Sequence, residues 1–263
     1  MSRLGPVFDR LRAGRTPGLV TYVTAGDPDL ARSRDVLRAL ARGGADVIEI
    51  GVPFSDPIAD GPEIQRASER ALAAGANLGA ALDLVASVRP EVDVPLVLFT
   101  YVNPVLRMGL AEFVGRAAAA GVDGVLMLDL PIEEAEPMRQ ALDAKGIDHI
   151  FLISPTTTDA RLREAARLGR GFLYAISRLG VTGTRETIAA TARPLVDRIR
   201  AATTLPIALG FGLSRPEHVT DVTSFADAAV VGSAIVRQIA AAARDGGDPA
   251  DAVEQFVRWL KGR

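Results

Sequence analysis

The feature that most constrains this chain is a regular alternation. From Gly18 onward, short apolar runs rich in β-branched residues take turns with alanine-rich segments whose apolar side chains recur at i, i+3 and i+4. The strand candidates are Leu19–Thr24, Asp46–Gly51, Leu96–Tyr101, Gly124–Asp129, His149–Ser154, Gly171–Ala175, Pro206–Gly210 and Ala228–Val231. Helical spacing fills the gaps, as in Leu30–Arg42, Leu110–Ala120, Glu133–Lys145, Arg161–Leu168 and Ile188–Ala202. Such alternation implies parallel strands joined by right-handed crossovers, and eight units in 263 residues are the size of a closed barrel. The predicted fold is therefore α/β: a single (β/α)8 TIM barrel over residues 1–263, with a short N-terminal helix and extra helices in the long βα connections. A doubly wound sheet is the alternative, but no G-x-G-x-x-G turn follows the first strand. Leu4–Arg12 is expected to plug the barrel bottom, and Pro249–Lys261 to close the chain as a helix. The two long connections, Gly51 to Pro95 and Ile176 to Leu205, fall on the face where such barrels carry their chemistry.

Composition limits what that face can do. There is no cysteine, the only histidines are His149 and His218, and the only lysines are Lys145 and Lys261. This leaves little material for a metal centre, a histidine base or a Schiff-base lysine, so acid–base work falls on carboxylates with tyrosine or serine in support. A net charge of −2 with the signs interspersed argues against a nucleic-acid surface. No run approaches the roughly 18 apolar residues of a membrane span, and the first residues lack the apolar core of a signal peptide. A cytoplasmic protein is expected.

One carboxylate stands out. Glu49 lies inside the apolar second strand, on the face shared by Val47 and Gly51, where a charge is costly unless paired, neutralised or used. The strand alone leaves a structural ion pair and a functional acid equally open. Asp60 follows in the next loop, Asp129 ends the fourth strand, Tyr22 lies in the first and Tyr174 late in the sixth. His149 opens the fifth strand, at the end away from the chemistry, and reads as structural; His218 reads as a surface helix residue. Glycines mark a second feature: Gly210-Phe211-Gly212 ends strand seven, Gly232-Ser233 ends strand eight, and Gly180-Val181-Thr182-Gly183 follows strand six. Glycine lets the backbone approach a phosphate, helix N-termini offer free N–H groups, and strands seven and eight bind phosphate in many barrels.

These residues sit in motifs that resemble the tryptophan synthase α-subunit family along nearly the whole chain. The motifs are Thr24-Ala-Gly-Asp-Pro28, Glu49-Ile-Gly-Val-Pro-Phe-Ser-Asp-Pro57, Ala59-Asp-Gly-Pro62, Tyr101-Val-Asn-Pro104, Asp129-Leu-Pro131, Ser177-Arg-Leu-Gly-Val-Thr-Gly183, Gly210-Phe-Gly212 and Gly232-Ser-Ala234. The segment from Glu49 to Asp60 is the most specific of them. The resemblance implies retro-aldol cleavage of indole-3-glycerol phosphate to indole and glyceraldehyde 3-phosphate. It makes Glu49 the acid–base residue, Asp60 the acceptor of the ring N–H, and Tyr174 a residue that positions Glu49 or the substrate. It assigns Gly183, Gly212, Gly232 and Ser233 to the phosphate and Thr182 to closure of the strand-six loop. Tyr22, Phe99, Leu126, Leu128, Ile153 and Phe211 would form the indole slot, with Tyr22 standing where the family usually has phenylalanine. No cofactor or metal is implied for this chain. The implied partner is a pyridoxal-phosphate β subunit in an αββα assembly, met by Pro53, Asp56, Pro57 and the Asn103-Pro104 loop. A stand-alone lyase releasing free indole would share every catalytic residue. A silent regulatory subunit should have lost Glu49 or Asp60, and a sugar-phosphate isomerase should carry acid–base pairs where Thr21, Val23 and Leu152 stand.

Overall fold

All eight expected strands form, each within two residues of its expected bounds: β1 (Gly18–Thr24), β2 (Val47–Gly51), β3 (Leu96–Thr100), β4 (Gly124–Met127), β5 (Asp148–Ile153), β6 (Leu173–Ile176), β7 (Ile207–Gly210) and β8 (Ala228–Val231). This computed structural model describes residues 2–176, 185–210 and 212–263, with the backbone alone for 185–191. Neighbouring strands pair in parallel and β8 returns to β1, closing the barrel. The helices are α1 (Leu4–Gly14), α2 (Leu30–Gly43), α3 (Pro62–Ala73), α4 (Leu78–Val88), α5 (Val102–Met108), α6 (Leu110–Ala120), α7 (Glu136–Asp143), α8 (Asp159–Leu168), α9 (Arg185–Arg200), α10 (Pro216–Thr223), α11 (Ser233–Arg244) and α12 (Pro249–Leu260). The extra helices of the long connection after β2 are α3 and α4.

Strand residues divide by parity into two cores. Leu19, Ile48, Ile50, Leu98, Val125 and Leu209 point outward against the helices. Val20, Val47, Val97, Leu126, Ile150 and Phe172 point inward, and there they meet Leu4, Phe8 and Leu11 of α1. Both faces are buried, which is why these strands read as unbroken apolar runs. The short N-terminal helix is thus the bottom plug, with Phe8 and Phe172 ring centroids 5.4 Å apart. Ion pairs seal it: Arg3 to Asp123 at 3.0 Å and Arg12 to Asp227 at 2.7 Å. Asp46, Asp123 and Asp227 also accept the first N–H groups of the preceding strands, from Leu19, Leu96 and Ile207. Each such carboxylate fastens one strand to the next at the face away from the chemistry.

One helix differs from expectation. The segment expected as one helix from Glu133 to Lys145 opens as a 3-10 turn, Ile132–Glu134, and α7 starts only at Glu136. Pro137 is the reason, because proline is accepted in the first turn of a helix and not in its interior.

Candidate active site

Glu49, on β2, is a carboxylate inside the barrel. Glu49 is 0% exposed, and neither carboxyl oxygen has a hydrogen-bond partner among the described residues. The structural ion pair left open by the strand pattern is therefore absent among the described residues. Burial alone raises its pKa to about 8, so near neutrality the group keeps a proton. Its neighbour in register on β1 is Tyr22, and inward-facing Val97 pairs with it on β3.

Asp60 lies at the end of the loop after β2, directly ahead of Gly61, the N-cap of α3. Tyr101, at the end of β3, donates its hydroxyl proton to Asp60 Oδ2 at 3.0 Å and accepts the Ala59 N–H at 3.1 Å. Its ring packs on Phe54 with centroids 4.9 Å apart, so one tyrosine ties the β2 loop to β3. Burial pushes Asp60 up to about 6 while the Tyr101 hydrogen bond holds it down, leaving it mostly ionised at neutral pH. Two carboxyl groups, both close enough to raise the Tyr22 phenol, thus sit in environments that favour a neutral Glu49 and a mostly ionised Asp60. Sequence reasoning gave Tyr101 no role, although it lies in a quoted motif.

The barrel interior around these groups is apolar. Leu126, Phe99, Leu128 and Tyr174 belong to the inner core. Phe99 meets Tyr22 edge-on at 5.2 Å and Tyr174 at 6.4 Å. Tyr174 reaches across to Gly210, where an added Cβ would lie 2.6 Å from its hydroxyl. Tyr22 fits for a similar reason: an added Cβ on Gly51 would lie 2.0 Å from its hydroxyl, and its one described partner is Thr24 Oγ1 at 3.5 Å. Burial raises both phenols well above the usual range, so both remain proton donors.

Ile153 is a correction. It packs in the outer core against the helices, and the residue in register with Tyr174 is Leu152. Paired residues of parallel strands face the same side, so Leu152 takes the inward place assigned to Ile153. Ile64 of α3, to which the sequence reading gave no role, packs against the cluster of Tyr22, Ala67 and Val236, as Phe99 does.

Just past β7, Gly212 has φ +77°, a conformation side chains rarely adopt. Gly232 precedes α11, which starts at Ser233, and an added Cβ there would lie 3.3 Å from Tyr22 Cβ. The free N–H groups of this helix end therefore open next to the slot. Thr182, Gly183 and Phe211 lie outside the described residues. Asp129 accepts the Val102 N–H at 2.7 Å and so shapes the start of α5. His149 is buried beside Phe151 at 4.4 Å, and His218 accepts the Ser214 N–H at 3.2 Å; neither lies with the carboxylates. Pro53 is buried, Pro57 is half-buried and Asp56 is exposed on the rim, with Ile58 beside them 86% exposed.

Comparison with known proteins agrees with this geometry. The family model described as "Tryptophan synthase alpha chain" matches residues 8–262. The tryptophan synthase alpha chain of Solibacter usitatus is 49% identical over 261 residues, covering 99% of this chain and 97% of that protein. That of Methanosarcina mazei is 46% identical over 260 residues, covering 98% and 93%. Among solved structures, tryptophan synthase subunit alpha from Legionella pneumophila superposes with a TM-score of 0.90 at 34% identity, covering 100% of this chain and 98% of the other. Tryptophan synthase from M. tuberculosis in its aminoacrylate-bound form matches at a TM-score of 0.88 and 35% identity, covering 99% and 98%. With matches in sequence and fold over nearly the full length of both partners, the chain belongs to the tryptophan synthase alpha chain family.

Proposed function

We propose that this chain is the α subunit of a tryptophan synthase and cleaves indole-3-glycerol phosphate to indole and glyceraldehyde 3-phosphate. The observation that carries the reading is Glu49, buried without a hydrogen-bond partner among the described residues and held neutral by that burial, alongside a mostly ionised Asp60. Glu49 gives its proton to indole C3, which turns the ring into an electron sink. The ring N–H, now carrying positive charge, donates to Asp60. The Glu49 carboxylate then takes the proton of the side-chain hydroxyl next to the ring. The bond from C3 to that carbon breaks, its electrons restore the aromatic ring, and the hydroxyl carbon leaves as an aldehyde. Tyr174 positions Glu49 or the substrate. Tyr22, Phe99, Leu126, Leu128, Leu152 and Ile64 enclose the indole, joined by Phe211. Gly212, Gly232 and Ser233 hold the phosphate; the family resemblance adds Gly183 to them and assigns Thr182 to the strand-six loop.

The two carboxyl groups dictate a pH profile. Activity needs Asp60 ionised and Glu49 protonated, so kcat/KM should rise through about pH 6 and fall through about pH 8. The substrate phosphate titrates near the lower limb; the upper limb belongs to Glu49. Activity that stays level up to pH 10 would remove Glu49 as the acid.

The partner is a β subunit that consumes the indole, in an αββα assembly. It is met by Asp56, Pro57 and the Asn103-Pro104 turn, where Ile58 and Leu106 stand 86% and 67% exposed as large apolar side chains; Pro53, expected there too, is buried. Among the described residues no single helix is long and apolar enough to cross a membrane, and the cytoplasm is the proposed site of action. Indole release should be measured with the purified chain alone and with a tryptophan synthase β subunit. Slow release with strong stimulation supports the subunit reading. Fast release without stimulation marks a stand-alone lyase, and no indole in either case refutes the activity.

A further inference from the structure

One ion pair with a buried carboxylate stands apart from the groups that do the chemistry. Asp27, in the loop after β1, has a side chain with 0% exposure, and Arg70 on α3 is its partner. Arg70 Nε donates to Oδ1 at 2.8 Å and Nη2 to Oδ2 at 2.9 Å, a bidentate fork that fixes direction as well as distance. The loop holding Asp27 is itself braced. The Gly26 N–H donates to Ser33 Oγ at 2.9 Å, and Ser33 Oγ donates to the Asp27 carbonyl at 3.3 Å. The loop also presses on the far end of α3: an added Cβ on Gly26 would lie 2.4 Å from Ala76 Cβ and 3.4 Å from Ala71 Cβ.

The near end of the same helix carries Asp60, one residue before its N-cap, and its first turn carries Ile64, packed against the cluster of Tyr22, Ala67 and Val236. Other fastenings of α3 are the Gln65 side-chain amide, which donates to the Asp60 carbonyl at 3.0 Å, and packing against α11 and β1. The buried residues of α3 are Ala67, Ser68 and Ala71, small side chains that permit sliding, whereas α12 buries Val253, Val257 and Leu260. We propose that the Asp27–Arg70 fork is a positioning device: it sets the axial seat of α3 and so the place where Asp60 and Ile64 meet the indole ring. The proposal rests on Asp60 being the acceptor of the ring N–H.

The test is a mutant cycle on indole formation with Arg70→Gln, the neutral pair Asp27→Asn/Arg70→Gln, and each combined with Asp60→Asn. The neutral pair removes the fork without stranding a buried charge, so it keeps the test alive if Arg70→Gln alone unfolds. In the folded variants kcat should fall roughly ten- to a hundred-fold, the scale of a misplacement near 1 Å, with KM moved less. On top of Asp60→Asn the same changes should cost less than about threefold, because residues acting through one group are not additive. A neutral pair with wild-type kcat would overturn the proposal. So would a loss that multiplies in full with Asp60→Asn, which is the mark of a merely structural role. If Asp60→Asn alone kept wild-type turnover, the reading of Asp60 itself would fall first.

Discussion

Glu49→Gln is expected to abolish indole formation, by more than about a thousandfold, while the barrel still folds. Glutamine fills the same space, but it cannot give a proton to carbon and take one back from a hydroxyl. Phosphate binding should survive, because the residues proposed to hold it, Gly212, Gly232 and Ser233, follow β7 and β8 and open α11, whereas Glu49 lies on β2. The same substitution carries a second signature in stability. In the folded chain burial raises the pKa of Glu49 from 4.5 to about 8. Between those values the folded state holds a proton that the unfolded chain has released, so the stabilising contribution of Glu49 is complete below pH 4.5 and is lost as pH rises through about 8. The variant lacks this slope. Wild-type thermal stability should therefore drop more between pH 5 and pH 8 than that of Glu49→Gln, by a few kcal/mol at about 1.4 kcal/mol per pKa unit. Thermal unfolding of both proteins at the two pH values reads the difference. Parallel slopes would mean that Glu49 is not held neutral, and appreciable residual turnover would remove it from the reaction.

Much of this site could be read before the fold was known, and the exceptions have physical causes. Glu49 was conspicuous because a carboxylate in an apolar strand breaks a local pattern. Ile153 was misplaced for the opposite reason. Strand β5 reads Ile150-Phe151-Leu152-Ile153, apolar on both faces, and without alternation the parity of a buried strand leaves no trace in composition. Only the pairing of Leu152 with Tyr174 settles which side chain enters the barrel. Tyr101 was missed because its hydroxyl finds Asp60 across 41 residues of sequence, a contact created by barrel closure. Ile64 has the helical spacing expected of any amphipathic helix, and nothing local tells a slot wall from a core residue. The strands themselves, by contrast, follow from short-range patterns repeated eight times, each consistent with its neighbours.

Asp60→Asn is the second large expected effect, a fall in kcat of at least roughly a hundredfold with KM changed far less. The asymmetry follows from when the interaction matters. Before C3 is protonated the ring N–H is neutral, and an asparagine carbonyl accepts from it about as well as a carboxylate. After protonation the nitrogen carries positive charge, and only the anion offers the stronger, charge-assisted hydrogen bond. Tyr101 sharpens the contrast, since its donated hydrogen bond at 3.0 Å helps to keep Asp60 ionised against the burial that raises it to about 6. Tyr101→Phe should therefore shift the lower limb of the pH profile upward and leave the limb near pH 8 in place. Steady-state rates across pH 5 to 9 for the two variants separate these roles. A wild-type kcat in Asp60→Asn would place the stabilisation of the ring nitrogen on another group, and an unmoved lower limb in Tyr101→Phe would show that the hydroxyl holds the loop without tuning the carboxylate.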